Sequence, residues 1–553
     1  MKRLAVYIIG CIVIVLTLRS LFNTTFFPIH DFTHVVRLVE LDTALQDGHF
    51  PVRWVRNLGY GYGMPLYNFY GPMPFYLAEL FHLVGFSALA SVKAMMIVMA
   101  GVAFGGMYLL SSSYFGVAGG LLSATAFLVF PYRALDLFVR GAFNELFALS
   151  LIPLVLYCIL RVREQKTWAS VGVFSLSLMT FFTSHNLMTL MFFPVVYGFS
   201  VLQLFAKGIK KMQYLLHIHV GIVLGIAASS FYLLPSFFEK GWTQVDKLIG
   251  GYGMYVYHFL YIRQLFQERW GYGGSFGGPE DGMSFHIGWI HLLLAVAGAL
   301  FWYTRSSSPY KRVLAIFFSG VTGSALFMTL YKSQFIWDRI PLFVYFQFPW
   351  RFLSITAVSI PFLVGASGIA VAKTSWRIPI VALLMMILVG SNLRFFAPEK
   401  LLDDPKAMYY EDPKKIQESM SDILPDYIPV WMKTWQKPFQ QQFEITKGDA
   451  KTEILIDRTQ EKLVRIQAAS PVTLLMRIAW FPQWTVYDNG IRIEHHIEDD
   501  TGFFSVPLGV GEHLVSIVFE DTPLRVWTNI ISVCALLIIL GVIGYDHHRR
   551  RSA

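Results

Sequence analysis

The sequence predicts a polytopic α-helical membrane protein with a small β-sandwich held near its C-terminus on the outer side of the membrane. Three observations predict it. Hydrophobic residues make up 55% of the 553 residues and charged residues 15%, and apolar runs near bilayer length recur along the chain. Lys/Arg clusters punctuate those runs at Arg161/Arg163/Lys166, Lys207/Lys210/Lys211, Arg305/Lys311/Arg312, Lys373/Arg377 and Arg549 to Arg551, which marks them as cytoplasmic turns with two spans between successive clusters. The hydrophilic block 396–523 then breaks into short runs of strand type. The turns account for most of the +9 formal charge, so the charge gives no reason to expect a nucleic acid partner.

Taken in order, Met1 to Arg3 and the apolar run to Leu18 have the outline of a signal peptide. Arg19-Ser20-Leu21 offers no small-residue cleavage site, so the run is expected as a first span. Working forward from a cytoplasmic Met1, 23–90 is the first outer loop. Working back from Arg161, 131–144 is outside as well, so an even number of crossings separates the two. Three apolar runs lie between them, 73–90, 92–111 and 115–131. Gly71-Pro72, Pro74, Glu79 and His82 interrupt the first, which is therefore expected as a re-entrant or interfacial helix on the outer side. About twelve spans follow, with both termini cytoplasmic and with 239–285, 331–350 and 396–523 outside.

The domain plan is a transmembrane domain at 1–395, an outer β-rich domain at 396–523, and a last helix with a basic tail at 524–553. Within the β-rich block the runs "AKTEILIDRT", "KLVRIQAAS", "VTLLMRIAWF" and "EHLVSIVFED" read as strands, and Asp488-Asn489-Gly490 reads as a hairpin turn. Tyr427, Trp431 and Trp435 lead into it, placed either to stack on a glycan or to pack. Cys11, Cys158 and Cys534 all fall inside apolar runs, against a disulfide framework or a thiolate metal site.

The chemistry concentrates in the outer loops. "IHDFTHVVRLVELDTALQDGHFPVRW" (Ile29 to Trp54) sets four acidic residues, three histidines and two arginines directly after a membrane helix. If Asp31 to Gln46 is helical, 100° per residue brings Asp31 and Asp42 onto nearly one line, flanked by Val35/Val39 and by Leu38/Leu41/Leu45. Such a stripe suits a helix lying in the interface, either offering a base to a lipid-borne substrate or simply facing water. Arg53, Trp54 and Arg56 follow in a loop of glycines, prolines and aromatics, a composition able to bind phosphate through arginine and a sugar ring through aromatic faces. Other outer segments carry Arg133, Asp136, Arg140 and Glu145; His185 and Asn186; Arg263, Glu268 and Arg269; and Trp350 and Arg351. Each arginine alone reads equally as a headgroup anchor. Their gathering on one side of the membrane points to a site.

Together "HDFTHVVRLVELDTALQDGHFPVRW", "GYGMPLYNFYGPMPFY", "FPYRALDLFVRGAFNE", "TSHN", "FQFPWRFL" and "AWFPQWTVYDNG" resemble the GT-C superfamily of membrane glycosyltransferases. The similarity lies nearest the bacterial membrane group labelled 6-pyruvoyl-tetrahydropterin synthase-related, with YfhO-like proteins as cousins. It runs from about Met1 to Arg351, and the β-domain resembles the YfhO-like C-terminal part. The resemblance implies a GT-C-like fold and transfer of a sugar from a polyprenyl-phosphate donor to an extracytoplasmic acceptor: a cell-envelope glycan, a lipid or a protein. It implies an acidic general base in the first outer loop, where Asp31 is the matching position. The usual paired acid is replaced by His30-Asp31, so the base stays open between Asp31 and Asp42. Direct displacement would invert the anomeric centre. The candidates for holding the leaving phosphate are Arg53, Arg56, Arg140, Arg269 and Arg351. His34, Trp54, His185 and Asn186 are the candidate substrate contacts.

Some members of that superfamily use a divalent cation and others do not. His30 and His34 have the i, i+4 spacing of helical metal ligands, short of the three protein ligands that open metal sites usually show. The pterin label implies no pterin chemistry, since the clustered zinc histidines of a soluble pterin synthase are not seen. The glycine runs "GYGYG" and "GYGGSFGG" neither follow a strand nor open a helix, and there is no Walker loop, which favours a lipid-linked over a nucleotide donor. Two other readings stay open. A lipid-sugar transporter would place ionisable residues or broken helices at mid-bilayer in two related halves, with Lys93 inside an apolar run as its one hint. A non-catalytic scaffold of polysaccharide assembly would tolerate replacement of Asp31. A protease is poorly supported, for there is no HExxH, serine-lysine or Gly-x-Ser-x-Gly site.

Overall fold

In hydrocarbon every backbone N–H and C=O must be satisfied within its own segment, so the apolar runs become helices. The computed structural model describes residues 2–371, 375–404, 411–420, 427–434 and 440–552. Lys373 and Trp435 lie outside the described residues. The first half contains α1 (Lys2–Leu18), α2 (His34–Gln46), α3 (Leu66–Phe69), α4 (Met73–His82), α5 (Ala88–Leu128), α6 (Pro131–Leu135), α7 (Phe143–Gln165), α8 (Trp168–Phe182), α9 (Asn186–Leu202) and α10 (Lys211–Phe238). The remaining helices are α11 (Trp289–Arg305), α12 (Pro309–Thr329), α13 (Gln334–Trp337), α14 (Leu353–Val371), α15 (Arg377–Asn392), α16 (Pro413–Ser419) and α17 (Pro523–Ser552).

Among the described residues, nine helical segments are long and apolar enough to cross a membrane. One of them, Ala88–Arg140, has 53 residues, far more than one crossing needs. It breaks inside α5 at Gly116, whose φ of 70° a residue with a Cβ rarely adopts. The twelve-span plan needs that break, and it needs the shorter helices α8 and α11 as crossings. The run 73–90 is not one helix: α4 has ten residues, about 15 Å and half a bilayer. It leaves Leu80, Leu83, Val84 and Phe86 exposed.

Side-chain contacts sort the connections between helices to two ends. At one, Arg163 donates to Tyr310 and Gln203, Tyr310 meets Tyr114 beside the Gly116 break, and the Ala169 amide reaches Asp546. At the other lie the loop after α1, α2 to α4, the π-helical turn Asp136–Arg140 and the β-domain. Lys93 belongs there too, its ammonium donating to the carbonyls of Asn23 and Thr25 at 2.7 and 2.6 Å.

Among its described residues the β-domain holds nine strands: β1 (Phe443–Lys447), β2 (Ala450–Asp457), β3 (Glu461–Ala468), β4 (Val472–Met476), β5 (Trp484–Asp488), β6 (Ile491–Ile493), β7 (His496–Ile497), β8 (Phe504–Leu508) and β9 (Gly511–Phe519). They form two sheets, ordered β1-β4-β8-β7 and β2-β3-β9-β5-β6, with antiparallel pairing throughout. Burial alternates along β3, β4 and β9, the pattern of sheets with one face on a shared core. The expected hairpin is present, with Asn489 and Gly490 joining β5 to β6. The domain rests on the first loop. Trp54, 1% exposed, packs at 5.5 Å from Trp484 and 5.3 Å from Phe519, and Asp47 accepts from the backbone and side chain of Thr459.

Candidate functional site

The expected helix Asp31 to Gln46 is shorter than its pattern. It starts at His34 with Thr33 as N-cap, because the preceding backbone is already committed elsewhere: the His30 and Asp31 amides donate to the carbonyls of Val139 and Arg140, both at 2.9 Å. Asp31 therefore lies ahead of the helix, off the α2 line that carries Asp42. Nor is α2 an amphipathic helix with one face open to its surroundings. Val35, Val36, Arg37, Leu38, Glu40, Leu41 and Ala44 are all buried, and the helix packs between α4, α5 and the loops above them.

Asp31 keeps about a third of its side chain open, at 31%. Thr33 donates to Oδ1 at 2.9 Å and Arg37 to Oδ2 at 3.1 Å. Burial works to raise this carboxyl, but the Arg37 charge, the His34 ring 3.6 Å away when it is charged, and the two hydrogen bonds outweigh it and hold it down at about 2. Arg37 is fully buried; it also donates to Tyr70 at 2.8 Å and stacks 4.1 Å over that ring. His34 lies between Phe143 and Phe75. Its Nε2 sits 2.5 Å from the Gly141 carbonyl and its Nδ1 3.3 Å from Arg37, so Nε2 carries the proton and Nδ1 accepts. Burial pushes this imidazole down to about 4, which makes it neutral at pH 7. Gly141 presents that carbonyl with φ 64°, where a Cβ would come within 2.6 Å of Ile29.

The same backbone stretch carries the second half of the site. Arg140 binds Asp136 and donates to Glu145 at 2.8 Å and Tyr132 at 3.1 Å. Its guanidinium lies 4.5 Å over Trp350. Arg351, on the turn before α14, faces Glu145 at 3.8 Å, and its Nε has no hydrogen-bond partner among the described residues. Arg133, 5% exposed, donates to the Ser150 hydroxyl, 3.3 Å from both terminal nitrogens, and lies 4.6 Å over the Phe127 ring. Arg140 and Arg351 therefore face Asp136 and Glu145, with the Arg133 charge close enough to act on Asp136, an excess of positive charge suited to an anion. His185 caps α9 by accepting from the Met188 amide, and burial pushes its imidazole down to about 4.

The remaining expected residues are dispersed. Asp42 sits on the last turn of α2, hydrogen bonded by Gln46 and 3.7 Å from His82. That is about 12 Å along the axis from His34. Arg53 is buried against Asn68, Asn529 and Asp521, and Arg56 lies on β2 through the Asp457 carbonyl. Arg269 is 78% exposed and pairs with Glu280. Trp54 is core rather than an open platform. Asn186 donates to the Phe69 carbonyl. His30 and His34 are not an i, i+4 helical pair: His30 precedes the helix and its Nε2 reaches the Tyr272 carbonyl, while both His34 nitrogens are engaged. No cluster of three or more potential metal ligands exists among the described residues. Arg37 and Tyr70 escaped the sequence reading, although a lone arginine between "HVV" and "LVEL" was the available signal.

Spanning helices, a charged site at one end and a β-domain over it define a polytopic α-helical membrane protein. A family model described as 6-pyruvoyl-tetrahydropterin synthase related domain, membrane protein, matches residues 67–397. The chain belongs to that family. The matched region holds Tyr70, Arg140, Glu145 and Arg351, but not Asp31 or the β-domain. No curated protein matches the sequence. Among solved structures, the chain is similar to arabinofuranosyltransferase AftD from Mycobacteria, at 13% identity and TM-score 0.47 over 73% of this chain and 28% of that one. It is also similar to the Archaeoglobus fulgidus oligosaccharyltransferase in its apo form, at 13% identity and TM-score 0.43 over 72% of this chain and 55% of that one. The chain thus spans under a third of the mycobacterial protein and about half of the archaeal one.

Proposed function

We propose that this protein is an inverting glycosyltransferase that moves a sugar from a polyprenyl-phosphate donor to an acceptor hydroxyl at the outer face of the plasma membrane. Both termini are then cytoplasmic, and the β-domain lies outside. The observation that carries the reading is one continuous backbone contact. The amides of residues 30 and 31 bond to the carbonyls of 139 and 140, which sets a partly open, ionised Asp31 beside the arginine-rich group around Arg140 and Arg351.

In this reading the acceptor hydroxyl hydrogen-bonds to Asp31 while its oxygen attacks the anomeric carbon. The C1–O bond to phosphate breaks, and its electron pair leaves on the lipid phosphate, met by Arg140 and Arg351. A carboxylate held this far below the usual range is a weak base, so it receives the proton late, once bonding of the hydroxyl oxygen to C1 has made that hydroxyl acidic. Arg53, Arg56 and Arg269 have no place in that step. The transport reading gains nothing from Lys93, whose charge is spent on two loop carbonyls.

The test is sugar release from a panel of polyprenyl-phosphate sugars, with candidate acceptors, by folded wild type and Asp31→Asn, with and without EDTA. The expected result is turnover by wild type and a loss of about a hundredfold or more in the variant, the scale of a removed acid–base group. Equal turnover by both removes Asp31 from the chemistry and makes Asp42 the lead. No turnover by wild type on any donor and acceptor overturns the reading.

A further inference from the structure

We propose that Arg37 is the positioning residue of this site, fixing the Asp31 carboxylate in one orientation and in its ionised form. The inference rests on the assignment of Asp31 to the chemistry. Arg37 has no exposed surface, so it meets neither substrate nor solvent directly. One terminal nitrogen, Nη1, lies 3.1 Å from Asp31 Oδ2, 2.8 Å from the Tyr70 hydroxyl and 3.3 Å from His34 Nδ1. That nitrogen ties the carboxylate to α2 and to the loop before α4 at once. Nε and Nη2 are buried without hydrogen-bond partners among the described residues. A guanidinium is kept in such surroundings by its counter-charge, and it cannot lose its proton to escape them.

Other groups near Asp31 do not replace it. His34 is neutral at pH 7 and its Nε2 proton goes to Gly141; only as the pH falls through about 4 does the ring become charged, and its Nε2, 3.6 Å from Asp31 Oδ2, then adds to the pull of Arg37. Thr33 contributes a hydroxyl to Oδ1. Tyr70 and Tyr427 face Arg37, and the Arg140 side chain turns away to Asp136 and Glu145. Above about pH 4, Arg37 is the full positive charge in contact with Asp31 among the described residues. Each Asp31 oxygen retains a lone pair beyond its one bond, and the exposed third of the side chain is where an acceptor hydroxyl can meet it.

The sign follows from the pair. With Arg37 present, Asp31 stays ionised until the pH falls to about 2. Without it, burial is opposed only by the Thr33 hydrogen bond and by His34 once that ring is charged, and the carboxyl returns toward the ordinary aspartate value of about 3.9. The experiment is pH-dependent esterification of Asp31 by a diazo reagent, which reacts with the protonated carboxyl, read by peptide mass spectrometry on the full-length protein in detergent. The expected result is essentially no labelling above about pH 4 in wild type, a labelling midpoint raised by one to two pH units in Arg37→Met, and a smaller rise in Arg37→Lys, which keeps the charge. Tyr70→Phe removes one bond to Arg37 and leaves the charge in place, so it should fold even if Arg37→Met does not and should give a small rise.

An unchanged midpoint in folded Arg37→Met overturns the proposal. If that variant does not fold, unchanged midpoints in both Arg37→Lys and Tyr70→Phe overturn it. Because labelling needs no turnover, a wild type inactive on every donor defeats the glycosyltransferase reading while the labelling still tests Arg37. Where turnover is found, the acidic limb of kcat/KM should move with the labelling midpoint, a shift that a merely structural role would not produce.

Discussion

Glu40 lies one turn after Arg37 on α2 and is as deeply buried, at 1% exposed, yet it forms no ion pair among the described residues, Arg56 acting on it only from farther off. Its two oxygens accept from the Asn57 amide at 3.0 Å and the Asn57 side chain at 2.7 Å, and burial raises its carboxyl above the usual range. Its task is to close the first loop onto α2. Removing it strands two buried donors, so Glu40→Ala should lower stability by about 1–3 kcal/mol per stranded group. Glu40→Gln keeps a carbonyl acceptor and should cost less. Thermal unfolding in detergent ranks the two, and equal unfolding of wild type and Glu40→Ala would remove this role. At this scale the sequence was partly legible. It picked out Asp31 and the arginines 140 and 351, because charge beside a membrane is costly wherever it stands. It could not separate Arg53 and Trp54, which serve the β-domain contact, since their partners Asp521 and Trp484 are more than 400 residues away along the chain.

Between elements, the α2–α4 contact carries a titratable group. Glu79 on α4 is 2% exposed, and neither of its oxygens accepts a hydrogen bond from a donor among the described residues. Burial first, and the Asp42 carboxylate second, raise it to about 7. A carboxyl with a raised folded-state pKa favours the folded protein when protonated. Its contribution is complete below about 4.5 and is lost as the pH rises through about 7. The unfolding temperature of wild type should therefore fall between pH 5 and 8 by more than that of Glu79→Gln, whose amide does not ionise. Parallel curves for the two proteins would place the titration elsewhere. Elements were legible where period and breaker agree: the strand runs, the Asn489-Gly490 turn and the interruption of 73–90 all reappear. The N-terminus of α2 was not, because the periodicity from Asp31 is sound and only the distant 139–140 backbone pulls residues 30 and 31 out of it.

Across the whole molecule, one buried ion pair joins the β-domain to the bundle. Glu239 follows α10 and Arg525 opens α17; they meet at 2.9 Å, with exposures of 2% and 0%. Asn68 and Thr522 also donate to Glu239, while the Arg525 guanidinium lies over Phe481 and Phe519 of the β-domain. Removing one partner leaves the other charge buried, at about 3–5 kcal/mol. Arg525→Met should therefore lower the unfolding temperature and open 396–523 to proteolysis before the helices. The pair also fixes which end of the bundle the site occupies, and that makes the topology testable. Tyr114 beside the Gly116 break shares an end with Arg163 and Tyr310, whereas Asp31 shares the other with β5 and β6 through the first loop. In a background without Cys11, Cys158 and Cys534, a membrane-impermeant maleimide should label Asn489→Cys on intact cells and Ser112→Cys or Ser113→Cys only after permeabilisation. Labelling of Ser112→Cys or Ser113→Cys from outside would reverse the bundle. An Asp31 site facing the cytoplasm would then need a donor and acceptor available on that side, and the extracytoplasmic reaction would fall with the orientation.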